Sequence, residues 1–258
     1  MPKVIGIISA KLAAEARIPN KVLLPLAGKS MLAHHIERMK AAPVDEISVA
    51  TSRWPGNDIV EKIAKQEGVK CYAGSENDVI SRHIAICEKE KADACIRIPC
   101  DSPLFEYDVI AELIRSFRQS SSSWYSYVYV NNVSFEYSTM PELVSLNALK
   151  KAHEYYQGPA VTLPIWEHWE DFVCCGVPVH KEYNRPEYRL AVDTPMDYVA
   201  MSHIYAALYQ GKPISLDDVY RWLDANPHIG KLCCGSEHSA INKRFLEAQK
   251  NAQSGINS

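Results

Sequence analysis

Val4-Ile5-Gly6-Ile7-Ile8-Ser9-Ala10, followed by a loop that carries Lys11, Arg17 and Lys21, is the stretch from which the fold is read. Branched apolar residues around a single glycine predict a strand buried on both faces of a parallel sheet; a half-exposed strand would alternate. The loop is broken at Pro19-Asn20, regains order at Val22-Leu23-Leu24 and turns again at Gly28-Lys29 before a helix begins at Ser30. A first strand that empties into a cationic, turn-rich loop is where α/β sheets hold anionic ligands, outside the carboxyl ends of the strands. A plainly solvated loop explains the same charges equally well.

Working outward, strand and helix alternate. Ser30 is a candidate cap for a helix with Met31, Leu32, His35, Ile36 and Met39 on one side and Glu37, Arg38 and Lys40 on the other. Strands are predicted at 46–51, 69–72 and 94–98, with helices at 59–67 and from a Ser75 or Asn77 cap to about Lys91. This is the rhythm of a doubly wound, mostly parallel α/β sheet. A helix from about Tyr107 to Arg118 ends in the soft run Gln119 to Ser123, and there the rhythm breaks. β-type segments are expected at 126–131, 142–145 and 171–178, a helix at 146–156, and an aromatic, irregular stretch at 159–169. A further strand is expected at Arg189-Leu190-Ala191-Val192, with helices at 196–208 and 216–223. The expected organisation is one domain over 1–235, in which about 124–185 forms a smaller irregular β/aromatic insertion, a lid or a dimer surface. A polar helix and frayed tail over 236–258 complete it.

Composition narrows the function. With 47% hydrophobic residues among 258, the chain can bury a sizeable core, and a net charge of −3 argues against a dedicated nucleic-acid binder. The aromatic patches 124–129 and 166–169 lack interleaved Lys and Arg, so packing or a dimer contact accounts for them better than RNA stacking. No apolar run reaches membrane-spanning length and no signal peptide is evident, so a cytoplasmic protein is expected. The eight cysteines form no CxxC pair, which favours free thiols in a reducing compartment. Gly6 stands without the Gly-x-Gly-x-x-Gly of a dinucleotide-binding oxidoreductase, and the nine histidines show no catalytic spacing.

Two acidic positions share one logic. Asp101 follows the apolar run ending at Ile98, and Asp193 follows Leu190-Ala191-Val192. In a parallel sheet both fall at the ligand-bearing edge, where two carboxylates suffice for a Mg²⁺ ion that also takes phosphate oxygens. Each Asp taken alone is also explained as a cap of the turn that follows.

The motifs as a set resemble the cytidylyltransferase superfamily that includes the CMP-KDO and CMP-acylneuraminate synthetases, and within it the spore-coat polysaccharide branch. The matching segments are the first strand with its basic loop of Lys11, Arg17 and Lys21; Lys21-Val22-Leu23-Leu24-Pro25-Leu26-Ala27-Gly28-Lys29; Asp45 to Thr51; Gly74 to Ile80 with Arg82; Arg97 to Leu104; Arg189 to Pro195; and the closing Leu216 to Pro227. The resemblance implies a Rossmann-like nucleotide-diphospho-sugar transferase fold. It also implies transfer of CMP from CTP to an acidic sugar-like acceptor, Mg²⁺ dependence and a homodimer. By position, Ala10, Lys11, Arg17 and Lys21 would wrap the nucleotide, with Lys21, Arg17 and Asp101 catalytic and Asp101 and Asp193 holding the metal. Arg82 and Arg97 would serve phosphate or acceptor; a strand-edge ion pair explains Arg97 equally well, and a helix-surface charge Arg82.

Several positions depart from the family pattern Ala-Arg-x-x-Ser-x-Arg-Leu-Pro-Gly-Lys. Lys11 replaces the first arginine and loses its bidentate fork, Glu15 adds negative charge, Asn20 replaces glycine, and the loop is one residue longer. Pro99-Cys100 stands where Thr-Gly is usual. In the acceptor region Gly-x-Asp-x-Glu becomes Ser138 to Glu142, and Glu-His-Val-Thr becomes Pro159 to Thr162. These changes keep two further functions in view, a nucleotide-binding relative or partner subunit without turnover, and a nucleotidyltransferase for a non-sugar acceptor such as a phosphonate.

Overall fold

The computed structural model describes residues 1–13, 15–119, 126–131, 140–178, 185, 187–233 and 240–256. The serine run 120–123, Trp124, Ser138, Thr139, His180 and Cys234 fall outside them.

β1 (Val4–Ser9) is fully buried apart from its last residue. After the loop, a short hairpin of β2 (Pro25–Leu26) and β3 (Lys29–Ser30) leads into α1 (Met31–Lys40), which Ser30 caps by accepting from Ala33 N. β4 (Ile47–Ser52), α2 (Asp58–Gln66), β5 (Lys70–Gly74), α3 (Val79–Glu90), β6 (Ala94–Pro99) and α4 (Ile110–Gln119) continue the alternation. The cap of α3 is Asp78, whose Oδ1 accepts from Ser81 N at 3.0 Å; Ser75 instead accepts from Asp78 N. β7 (Ser126–Asn131), β8 (Glu142–Ser145), α5 (Leu146–Tyr155), α6 (Leu163–Glu167) and β9 (Val173–Pro178) come next, and α7 (Pro195–Leu208), α8 (Leu216–Ala225), α9 (Pro227–Gly230) and α10 (Ala240–Ile256) follow.

The main sheet runs β5-β4-β1-β6-β8-β7-β9. β8 is antiparallel to both of its neighbours, and every other pairing is parallel, so the sheet is mixed but mostly parallel. Side chains of α1, α2 and α4 pack on one face, and those of α3, α5, α6 and α10 on the other. Chain order reverses between β1 and β6, because β4 and β5 lie on one side of β1 and β6 on the other. The carboxyl ends of β1 and β6 are thus the topological switch point of the sheet, the place where open α/β sheets hold ligands. Gly6 permits close approach of α1, since a Cβ there would lie 2.6 Å from Met39 Sδ.

Two expectations are corrected. Arg189 to Val192 is not a strand; Leu190 and Val192 are buried in a third core with α7 and α8, and Val192 N donates to Asp101 O at 2.8 Å. Arg38 is 1% exposed, donating from Nε to Phe105 O (2.9 Å) and from Nη1 to Ile214 O (2.6 Å). His34 and His35 are both buried. The aromatic residues pack, with Tyr127, Tyr129 and Trp166 buried together in the second core. The seven described cysteines are free thiols. Among the described residues no helix is long and apolar enough to cross a membrane.

Candidate functional site

The candidate site at this switch point is built from the loop after β1, the turn after β6 and the segment entering α7. Pro99 ends β6 opposite Ser9, and Cys100 N donates to Ser9 O at 3.1 Å, so the turn carrying Asp101 is stitched to β1. Cys100 is buried in the core, where burial raises its thiol pKa, so it is not a reactive group. Asp193 arrives by a different route. Thr194 caps α7 and forms a reciprocal capping box with Asp197, whose Oδ2 accepts from Asp193 N (2.9 Å) and Thr194 N (2.7 Å). Asp193 is therefore aimed by a helix cap and by pairing of Val192 with the Asp101 carbonyl; a sheet strand does not place it.

Lys21 joins the two aspartates. Its Nζ donates to Asp193 Oδ1 at 2.9 Å and to Val192 O at 2.9 Å, and lies 3.5 Å from Asp101 Oδ2. Burial alone would lower the pKa of this ammonium, but the charges of Asp101 and Asp193 outweigh it and push the value up. Burial likewise opposes ionisation of Asp193, yet Lys21 and Arg189 hold its carboxyl below the usual carboxylate range. The residue before Lys21 explains one departure from the family loop. Asn20 has φ 51 and ψ 36, the left-handed conformation that glycine favours and asparagine tolerates.

The remaining predicted residues separate. Lys11 pairs with the Glu76 carboxylate after β5, and its Nζ also lies 3.3 Å from Glu76 O. Arg17 is exposed and makes no hydrogen bond or ion pair among the described residues. Ala10 is buried at the end of β1, its N–H donating to Ala50 O. Arg82 is 2% exposed, which overturns a helix-surface charge; its Nε and Nη1 have no partner, and burial lowers its pKa. Arg97 is a cross-strand ion pair, with Nη1 2.8 Å from Glu142 Oε2. Tyr127 and Thr162 also donate to Glu142.

Arg189 was given no role on sequence grounds. Its Nη2 pairs with Asp193 Oδ2 and its Nη1 lies 3.2 Å from Asp197 Oδ2. The spacing Arg-x-x-x-Asp-x-x-x-Asp was the available signal. Among the described residues no group of three or more His, Cys, Asp or Glu side chains could hold a metal ion. Asp101 and Asp193 meet only around Lys21.

Residues 5–214 match the family model described as Cytidylyltransferase. The chain belongs to this cytidylyltransferase family. It is 25% identical over 236 residues to the spore coat polysaccharide biosynthesis protein SpsF of Bacillus subtilis, covering 88% of this chain and 96% of that protein. It is 26% identical over 223 residues to a 3-deoxy-manno-octulosonate cytidylyltransferase of Nitratiruptor, covering 83% and 90%. In fold it is similar to a cytidylyltransferase from Leptospira borgpetersenii, with TM-score 0.81, 23% identity, and coverage of 93% of this chain and all of that one. The CMP:2-keto-3-deoxy-manno-octonic acid synthetase solved with CTP is similar at TM-score 0.58 and 16% identity, over 80% of this chain and 99% of that one.

Proposed function

We propose that the protein transfers CMP from CTP to an acidic sugar or sugar-like acceptor, releasing pyrophosphate, in surface polysaccharide or glycan biosynthesis. The observation that carries this is the convergence of Lys21, Asp101 and Asp193 at the β1/β6 switch point in a chain of this family. An acceptor oxygen attacks the α-phosphorus and pyrophosphate leaves, a reaction in which alignment and charge neutralisation do most of the work. Lys21 is the group placed to neutralise phosphate charge, Arg189 and the α7 cap fix Asp193, and the β1–β6 stitch fixes Asp101. Arg17, Lys11, Arg82 and Ala10 are assigned to the nucleotide, and Arg97, paired with Glu142 across the sheet, to bracing β6 beside the site.

The donors of Asp101 and Asp193 are oxygens alone, which fits Mg²⁺, an ion commonly held by one or two carboxylates plus phosphates and water. These two residues would hold it, and when bound it would supply neutralisation of the phosphate charge. The proposed setting is a cytoplasmic homodimer acting on nucleoside triphosphate and a small acidic acceptor. A pyrophosphate-release screen of the four nucleoside triphosphates against acidic sugars and phosphonates tests this. The expected result is release from CTP with one acceptor class. Release from another nucleotide in preference to CTP would overturn it.

One observation favours a second function, a nucleotide-binding relative without turnover. Of the three loop cations, Lys11 is held by Glu76 and Arg17 faces solvent, leaving only Lys21 at the switch point. CTP binding with no pyrophosphate released by any acceptor is its signature.

A further inference from the structure

An ammonium has three donors, and those of Lys21 face three acceptors, Asp193 Oδ1, Val192 O and Asp101 Oδ2. The other oxygen of Asp193 is held by Arg189, which is 8% exposed and is paired in turn with Asp197, 6% exposed. Releasing Asp193 Oδ2 would strand charges in a buried network, at high cost. Asp193 Oδ1 is therefore the oxygen free to change partner. Its present partner, Lys21, sits on a flexible stem with a quarter of its side chain exposed. A dipositive ion and an ammonium on the same carboxylate, within about 4 Å of each other, repel strongly even when solvent screens them.

The surrounding charges point the same way. Lys11 faces Glu76, Arg97 faces Glu142 and Arg189 faces Asp193 and Asp197, so these cations are already compensated. Among these paired cations a bare triphosphate finds little unbalanced positive charge; Arg17 and the Nε and Nη1 of Arg82 are guanidinium donors left without a partner among the described residues. A triphosphate that carries its own divalent ion brings the missing charge and offers Lys21 new oxygen partners.

We propose that Lys21 is the resident counter-cation of Asp101 and Asp193, that it must release Asp193 Oδ1 before a divalent ion can bind there, and that the ion therefore enters only with a nucleotide. Arg189 acts as a positioning residue, holding Asp193 so that a single oxygen changes hands. The inference rests on the switch point being the nucleotide site, and it makes ion and nucleotide binding positively coupled.

The test is Mn²⁺ binding to the full chain, followed by the loss of the free-ion EPR signal, without acceptor. In the absence of nucleotide the wild type should bind Mn²⁺ weakly, and Lys21→Met should bind it about ten-fold or more tightly. Lys21→Arg, which keeps the charge, should resemble the wild type, and Lys21→Met with Asp193→Asn should lose the gain. Arg189→Lys should reduce the gain in the Lys21→Met background, and circular dichroism melts establish that each variant is folded. With CTP added, the wild type should take up Mn²⁺ and CTP together. Equal Mn²⁺ affinity in wild type and Lys21→Met, or a gain that survives Asp193→Asn, would overturn the proposal. If the nucleotide assignment alone is wrong, the CTP arm fails while the Lys21→Met gain in metal alone persists.

Discussion

Two clusters of opposed charge stand close together along β6 and differ in what surrounds them. Arg97 and Glu142 face each other across β6 and β8, and Tyr127 and Thr162, neither of them exposed, close around Glu142. Just past the end of the same strand, Lys21 is shared between Asp101 and Asp193, and the Lys21 and Asp101 side chains keep 25% and 29% of their exposure. The first cluster keeps only 17% and 15% of its side-chain exposure, and Glu142 takes fixed donors from Arg97, Tyr127 and Thr162, so its charges brace the sheet. The second keeps an open side and a cation on a long side chain, so its partners can be exchanged. Ion pairs of similar distance thus serve different ends, and access decides which.

The largest effect should come from the open cluster. Asp101→Ala or Asp193→Ala is expected to lower CTP turnover by about two to three orders of magnitude, as loss of a transition-state contact does, and Asp193→Ala should also lower the melting temperature because it strips Arg189 of a buried partner. Turnover is read by pyrophosphate release; full activity in either variant would put the chemistry elsewhere. Next, Arg97→Met should leave Glu142 unpaired and cost about 3 kcal/mol in denaturant unfolding. Arg97→Met together with Glu142→Leu should recover much of that loss. If Arg97→Met instead left stability intact and weakened acceptor binding, the two clusters would belong to one site.

Acid sensitivity sharpens the contrast from below. His83, beneath Ser9, and His35, in α1, are buried and neutral, with burial pulling their pKa values down to about 3 and about 4. In the unfolded chain both take a proton near pH 6.5, while the folded chain does not, so stability falls as pH drops from about 6.5 toward 4. At pH 5 the expected loss is about 2 kcal/mol for each histidine, read from denaturant midpoints. The smallest effect is expected at Arg17. Because it is exposed, Arg17→Ala should raise the KM for CTP by about two- to five-fold and leave kcat nearly unchanged. A large loss of kcat would mean that the loop folds inward over the nucleotide.

The parallel half of the sheet was legible because buried strands leave apolar runs, as Val4 to Ile8 and Ala94 to Ile98 do. The same signal misled at Leu190 to Val192, where burial comes from packing on α7 and α8 and hydrogen bonds lead to a loop carbonyl. Helical periodicity likewise placed Arg38 outside, since its acceptors, the carbonyls of Phe105 and Ile214, lie far along the chain and leave no local pattern. At the candidate site, charge and strand-end position singled out Asp101 and Lys21. The link from Lys21 to Asp193 spans most of the chain and depends on tertiary structure. Asn20 shows the converse. Its replacement of glycine looked like a departure, and the left-handed backbone shows that the loop's conformational demand is still met.

The most direct test of the central claim is ³¹P NMR of the full chain with CTP, Mg²⁺ and the acceptor class found in the screen. The expected result is a CMP-linked product appearing in equal amount with pyrophosphate, and both absent when Asp101 or Asp193 is replaced by alanine. Pyrophosphate without a CMP-linked product, or both products undiminished in the alanine variants, would contradict it.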